Sequence, residues 1–595
     1  MTQRKLVSGI RNIGKMAVIV LAAVLAVSIN SALAVSGSLV KVEGNQLQVE
    51  TRTLKAVIDR GLIISLVRKS DSRELIKSQA DDKPALQLIY PKGEAVSLGH
   101  EPGDRCKTIQ INNNLAHVRI ESWYGDAVIS VSTDTTSGDL VIDPSGYASR
   151  PGLRACRWLL TGIDPALELV APFFQGMRMP LEDPLINNTH WAWPHFWEAG
   201  LAILQGEKGG LWVHCQDSRF RYKSLQVGIP GDARCLGFET EAYGPLDNSL
   251  GAGGLTWRIN VYEGGWEVPA SSYRDWLGRA YGLENKTRPQ WVKNITLALS
   301  WTPSEPGILD ALAKWVKPER VLLHIPSWRT DPYDENYPTF KPSEEGRQFI
   351  KKAQGMGFHA MPHCNSIDMD PTNPVYSYIR DFQYREIESK RVQGWSWYNE
   401  TSRPVPESNA ARMRHRDTKT MIKVHPGLGM WRSILAESIL PAADELSLEI
   451  VFLDVTLCSW NLHNCLVENI TPTEGMKRLE ALIGSMGSGI LVGGEGRNEI
   501  TMQDQAFSQV HLFQSWQNSV EGLARLKPCP LNEFMFGRWC RSFGYSGLSG
   551  RTPEEEMRIK LHLDLGAIPT LTIDSAAEIE NPNPAVKNIL KLAAK

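Results

Sequence analysis

Downstream of Trp291 the chain alternates short apolar runs with stretches of helical periodicity, and this alternation limits the fold more than any other feature. The runs ITLALSW (Ile295 to Trp301), RVLLHIPSW (Arg320 to Trp328), FHAMPHCNS (Phe358 to Ser366), EIVFLDVT (Glu449 to Thr456) and GILVGGEG (Gly489 to Gly496) read as strands, with weaker candidates at NEFMFG and GAIPTLTI. Between them, GMWRSILAESIL places Trp431, Ile434, Leu435 and Ile439 on one helical face. Continuously apolar strands linked by helices belong to parallel sheets covered on both sides. The length of this region suits a (β/α)8 TIM-like barrel over residues 291–595. TKTMIKVHPG (Thr418 to Gly427) is either an eighth strand or an excursion in a long loop after the third. A doubly wound open sheet is the main rival, yet no GxGxxG or P-loop follows any strand, so a nucleotide site has no foundation.

Upstream, over residues 35–270, the pattern has period two. NQLQVETRT puts Leu47, Val49 and Thr51 on one face, and AHVRIES does so with Ala116, Val118 and Ile120. Turn-rich pieces such as YPKGE and DPSGY punctuate these runs, as in a large antiparallel β-supersandwich. SSYRDWLGRAYG reads as a helix, and ENKTRPQW closes a connecting segment over residues 271–290. The chain is therefore expected to be an α+β multidomain protein.

Basic residues at Arg4, Lys5, Arg11 and Lys15, the apolar stretch MAVIVLAAVLAV and the small residues ending at Ala34 have the layout of a signal peptide over residues 1–34. This implies a periplasmic or secreted protein, with an uncleaved anchor as the alternative. Nine cysteines form no CxxC pair, although Cys458 with Cys465, or Cys529 with Cys540, could bridge in an oxidising compartment. A formal net charge of −2 provides no field for nucleic acid or an anionic membrane.

In a (β/α)8 barrel the active site lies where the strands end. The residues collected there are His324, Trp328, His363, Asn365, His425, Asp454, Glu495 and Arg497, with Trp431, Arg432 and Trp460 nearby. Two carboxylates among hydrogen-bonding groups and tryptophans suit a sugar, whose hydroxyls need polar partners and whose apolar face needs an aromatic platform. The chain holds 19 tryptophans, three of them in HWAWPHFWE at His190 to Glu198. Each residue also has an ordinary explanation: a strand-end Asp caps the next helix, a histidine is satisfied in the core, and the tryptophans fill an interdomain core. Glu495, between Gly494 and Gly496, is harder to account for by packing. A metal site on His359, His363, Asp368 and Asp370 lacks a recognised ligand spacing, and no GxSxG elbow supports a Ser-His-Asp hydrolase.

Two carboxylates with no cofactor motif point to glycoside hydrolysis. The order of sandwich, connecting helix and barrel, followed by FLDV and GGEG about forty residues apart, resembles the retaining glycosidases that include the endo-α-N-acetylgalactosaminidases and their exo-acting α-N-acetylgalactosaminidase relatives. The resemblance implies Asp454 as nucleophile and Glu495 as acid/base, with Trp431 and Arg432 of HPGLGMWRS shaping the site. The appended β-domain common in those enzymes is missing, which leaves the substrate open. The expectation is a retaining hydrolase of an α-linked galactose- or N-acetylgalactosamine-type glycoside, with a carbohydrate substrate as partner and no cofactor. The alternative is a non-catalytic carbohydrate-binding protein on the same scaffold.

Overall fold

The structure, a computed structural model, describes residues 39–79, 83–398, 401–406, 408, 412–413, 419–486, 489–511, 524–525 and 527–595. The expected signal peptide lies outside the described residues. Among those described, no helix is long and apolar enough to cross a membrane.

Residues 39–263 form antiparallel sheets of five, ten and six strands. The period-two segments are strands whose alternate residues face the core: in Gly125–Thr133, Ala127, Ile129 and Val131 are buried, while Asp126 is exposed. The alternation breaks in Leu201–Gly206 and Gly209–His214, which are buried throughout. Their second face is covered by the connecting helix Glu267–Ala280 and the barrel helix Leu531–Phe536, through Ile203, Trp212, Tyr273, Leu277, Met535 and Phe536. The two halves therefore share one apolar cluster.

The second half is a parallel barrel. Its strands in chain order are β1 (Leu297–Leu299), β2 (Val321–Ile325), β3 (His359–Asn365), β4 (Ile450–Asp454), β5 (Leu491–Glu495), β6 (Gln505–Val510), β7 (Arg541–Gly544) and β8 (Thr570–Leu571). Each pairs with its sequence neighbour, β8 pairs with β1, and a Phe543–Ile568 bridge with Ile568 N–H donating to Ser542 O at 2.8 Å joins the last two staves.

One reading of the barrel changes, and one left open is decided. NEFMFG lies in the helix Leu531–Phe536, whose Leu531 and Met535 are buried one turn apart. The sixth and seventh strands are QAFSQV and RSFG instead, and β6 escapes an apolar-run criterion because it carries three buried polar residues: Gln505 bonds Glu480 of the helix Pro472–Met486 and Ser508, while Gln509 points into the barrel and donates to Ser300. TKTMIKVHPG contributes Lys419–Lys423, an antiparallel strand of a four-stranded sheet inserted between β3 and β4, so it is an excursion and not a stave. All nine cysteines are free thiols, and neither suggested pair is bridged.

Candidate active site

The parallel register pairs Phe452 with Gly493 and Leu453 with Gly494, which brings Asp454 and Glu495 side by side at the C-terminal ends of β4 and β5. The glycines of GGEG have a steric cause. A Cβ on Gly493 would meet Met361 Sδ at 2.5 Å, and one on Gly494 would run into Gln505 Nε2. Gly496 turns the chain away at φ +79°. Thr456 clamps the glutamate's backbone, accepting from Glu495 N–H at 2.9 Å and donating to Glu495 O at 2.7 Å. Val455, a β-branched residue at φ +57°, donates its N–H to Glu495 Oε2 at 3.0 Å. Backbone strain of this kind persists where surrounding contacts enforce it, commonly at functional sites.

Both carboxylates are buried, with exposures of 6% for Asp454 and 5% for Glu495. Asn365 Nδ2 lies 3.4 Å from Asp454 Oδ2 and 3.0 Å from Asp368 Oδ2, and His363 Nε2 lies 3.6 Å from Asp454 Oδ2. Lys423, a buried cation, binds Asp368 Oδ1 at 3.0 Å and sits 3.8 Å above the Trp395 ring. His511 Nε2 contacts Glu495 Oε1 and stacks on Tyr545 at 4.1 Å. These neighbours separate the two acids. Burial, together with Glu495, Asp368 and Asp334, pushes Asp454 well above the usual carboxylate range. Burial also raises Glu495, but His511, Lys423 and the Val455 N–H outweigh it and hold Glu495 below its ordinary value. The two neighbouring acids are thus shifted in opposite directions, and Asp454 is the one whose surroundings favour the protonated form.

Aromatic rings wall the mouth. Trp301, at the end of β1, stands edge-on to Tyr333 at 5.6 Å and to Tyr545 at 5.7 Å, and lies 5.7 Å from the His363 ring. Beyond Glu495 is a cavity of about 90 Å³ lined by residues that include His511, Leu457 and Arg497 from the barrel, and Phe174, His195 and Glu198 from the sandwich. Trp460 stands edge-on to His195 at 5.2 Å. The first domain thus contributes directly to the site.

The structure gathers Asp454, Glu495, His363, Asn365 and, one layer behind, His324 at this mouth, with Trp460 at its rim. It does not bring the remaining expected residues into contact with the acids. Trp328 and Trp431 are core residues at 1% and 0% exposure, with indole N–H groups donating to His363 O and Ser366 O. His425 shapes a turn, accepting from Gly427 N–H, and Arg432 donates to Pro426 O. Arg497 is buried and ties Gln175 of the sandwich to Glu533 and Cys540 O. Trp191, Trp193 and Trp197 of HWAWPHFWE are likewise core. Lys423, His511, Trp301, Tyr333 and Tyr545 were not singled out in the sequence. A usable signal existed for Trp301 alone, as the last residue of its predicted strand.

Among the described residues, His363 is not part of a metal-ligand set. His359 is at the opposite end of β3, stacked on Trp291 at 4.1 Å and 2.9 Å from Glu449. Among the described residues, the trio close enough to share an ion is His190, Glu239 and Glu241 in the sandwich, but Arg157 already occupies Glu239 at 2.5 Å.

Residues 255–546 match the family model described as a domain of unknown function, DUF6259. No curated protein matches the chain. Among solved structures, the chain is similar to the ligand-free α-N-acetylgalactosaminidase NagBb from Bifidobacterium bifidum at 12% identity and a TM-score of 0.63, over 94% of this chain and 92% of that one. The complex of the same enzyme with Gal-NHAc-DNJ gives 12% identity and a TM-score of 0.61, over 94% and 91%. A GH31 family sulfoquinovosidase from E. rectale, in complex with the aza-sugar inhibitor IFGSQ, gives 10% identity and 0.54, over 93% and 82%. At these identities the likeness is one of fold, and it spans both halves of the chain.

Proposed function

We propose that the protein is an exported retaining glycoside hydrolase acting on an α-linked galactose- or N-acetylgalactosamine-type sugar, with Asp454 as nucleophile and Glu495 as general acid and base. The observation that carries this reading is the pairing of Asp454 with Glu495 on adjacent strand ends inside a ring of tryptophan and tyrosine. Cleavage requires Asp454 ionised and Glu495 protonated. Transfer of one proton from Asp454 to Glu495 supplies both forms, and His511 can accept from a protonated Glu495 as well as donate to an ionised one. Asp454 then attacks the anomeric carbon while Glu495 protonates the departing oxygen. In the second step Glu495 takes a proton from water, which displaces Asp454 from the same face on which the leaving group stood.

The sugar class rests on the fold shared with α-N-acetylgalactosaminidase NagBb and on the FLDV and GGEG motifs. Incubation of the purified protein with a panel of nitrophenyl α- and β-glycosides tests the reading. Turnover of an α-galactoside or α-N-acetylgalactosaminide, with retention at the anomeric carbon, is expected. Turnover of β-glycosides alone would sink the linkage assignment, and inversion would sink the mechanism.

A further inference from the structure

The interior of the barrel holds two buried histidines whose hydrogen bonds point in one direction. Trp301 N–H reaches His324 Nδ1 at 3.2 Å, and Gln509 Nε2 approaches the same atom at 3.5 Å. With donors on that side, His324 Nδ1 is an acceptor and its proton is on Nε2. That nitrogen lies 3.1 Å from His363 Nδ1, which must then accept, so the His363 proton is on its own Nε2. This last N–H has no hydrogen-bond partner and stands 3.6 Å from Asp454 Oδ2. We infer that His324 and His363 form a fixed donor chain that presents an imidazole N–H to Asp454, making both of them positioning residues for the nucleophile. The inference rests on the two-carboxylate reading for its catalytic meaning, although the donor chain itself stands apart from turnover.

The packing supports it. His324 and His363 are 0% and 1% exposed, with ring centroids 4.4 and 5.5 Å from Phe452. Burial lowers His324 to about 3 and His363 well below its usual value, so both rings stay neutral and neither can donate from both nitrogens. A pair of histidines satisfied in the core would leave no N–H unspent beside an acid. Ionisation of Asp454 closes the remaining gap into a charge-assisted hydrogen bond, which favours the carboxylate over the acid. That contribution acts against Glu495 from β5, Asp368 from the segment after β3 and Asp334 from the loop after β2, and with Lys423 from the inserted sheet. Tyr333 and Tyr545 also lie within the electrostatic reach of Asp454, and Arg329 and His324 face His363.

The first test needs no substrate. Imidazole nitrogen NMR on the full chain labelled at histidine, assigned by His324→Gln and His363→Gln, should show both rings as neutral Nε2–H tautomers across the range from about pH 5 to 8 in which an unshifted histidine titrates. An Nδ1–H tautomer in either ring, or titration of either within that range, would overturn the inference. The second test is the pH profile of kcat/KM. His324→Phe keeps a ring between Phe452 and Trp301 but frees His363 to turn its lone pair on Asp454, so activity should fall about tenfold more at the acidic end than at neutral pH. His324→Gln, whose amide N–H can reach His363 Nδ1, should restore the profile. An equal loss at every pH would mark a packing role and overturn the inference. If the parent cleaves no glycoside the functional reading falls, whereas the NMR result still decides the donor chain.

Discussion

The backbone N–H of Val455, the residue after Asp454, donates to Glu495 Oε2 at 3.0 Å, so one tight turn couples the two acids. Movement of either strand end alters the alignment of both, and the consequences extend from chemistry to stability.

The acids should differ in how their removal is rescued. With Asp454 as the proposed nucleophile, Asp454→Ala should lower turnover by about four orders of magnitude for every leaving group. Glu495→Ala should still release an activated phenol in a burst, then stall, because the second step lacks its base. Azide should accelerate that step and yield a glycosyl azide of retained configuration. A burst in Asp454→Ala would exchange the roles, and full activity in either variant would reduce both acids to caps.

The pH profile follows from the separated affinities. Asp454 must lose a proton that its burial and acidic neighbours hold tightly, so the acidic limb of kcat/KM should lie well above the ordinary aspartate range. Glu495 must keep a proton that His511 works against. His511→Ala should therefore move the basic limb upward, and a basic limb that stays in place would remove His511 from the proton balance.

Stability should reveal the same arrangement. A carboxyl group whose affinity for protons is higher in the folded than in the unfolded state contributes stability below the unfolded value and loses it as pH rises through the folded one. Asp454 is such a group. Asp454→Asn should raise Tm, with a gain that grows between about pH 4 and pH 7, the interval that starts at the unfolded aspartate value. A gain independent of pH would contradict the raised affinity.

Tryptophans should divide by location. Trp301 faces the mouth among Tyr333, Tyr545 and His363, so Trp301→Ala should raise KM by a factor that reflects about 1 kcal/mol of lost ring contact. Trp431 is 0% exposed in the core, and Trp431→Ala should cost about 3–5 kcal/mol of stability, measured by denaturant unfolding. The opposite pattern in the two variants would put the sugar elsewhere.

The loop after Glu495 is held by the sandwich and the connecting helix. Glu499 accepts from Gly200 N–H at 3.0 Å, from Trp193 Nε1 at 3.0 Å and from the Tyr273 hydroxyl. Glu499→Ala leaves the Gly200 and Trp193 N–H groups buried without this acceptor, while the Tyr273 hydroxyl keeps Cys215 O at 3.3 Å, and should cost about 3 kcal/mol. It should also lower kcat, because Gly496 to Glu499 carries Glu495. Unchanged kcat in a destabilised variant would confine Glu499 to domain packing.

The amino-acid sequence by itself determined the two architectures and the positions of the two acids. Period-two alternation follows from sheets buried on one face, and a run such as IVFLD that ends in a charge marks where a barrel strand leaves its apolar surroundings. The strand β6 was hidden by the same logic, since its buried Gln505, Ser508 and Gln509 find hydrogen-bond partners in Glu480, Gln505 and Ser300 and remove the apolar signature. The tertiary structure decided which neighbours the acids have. Lys423 arrives from an inserted sheet, His511 from β6 and His195 from the sandwich, and none has a local pattern that announces where it points. It also decided that Trp328, Trp431 and Arg497 belong to packing. A strand-end residue can face the mouth or the surrounding helices according to one step of the pleat, and the proton affinity of a buried acid depends on charges that only folding brings within a few ångströms.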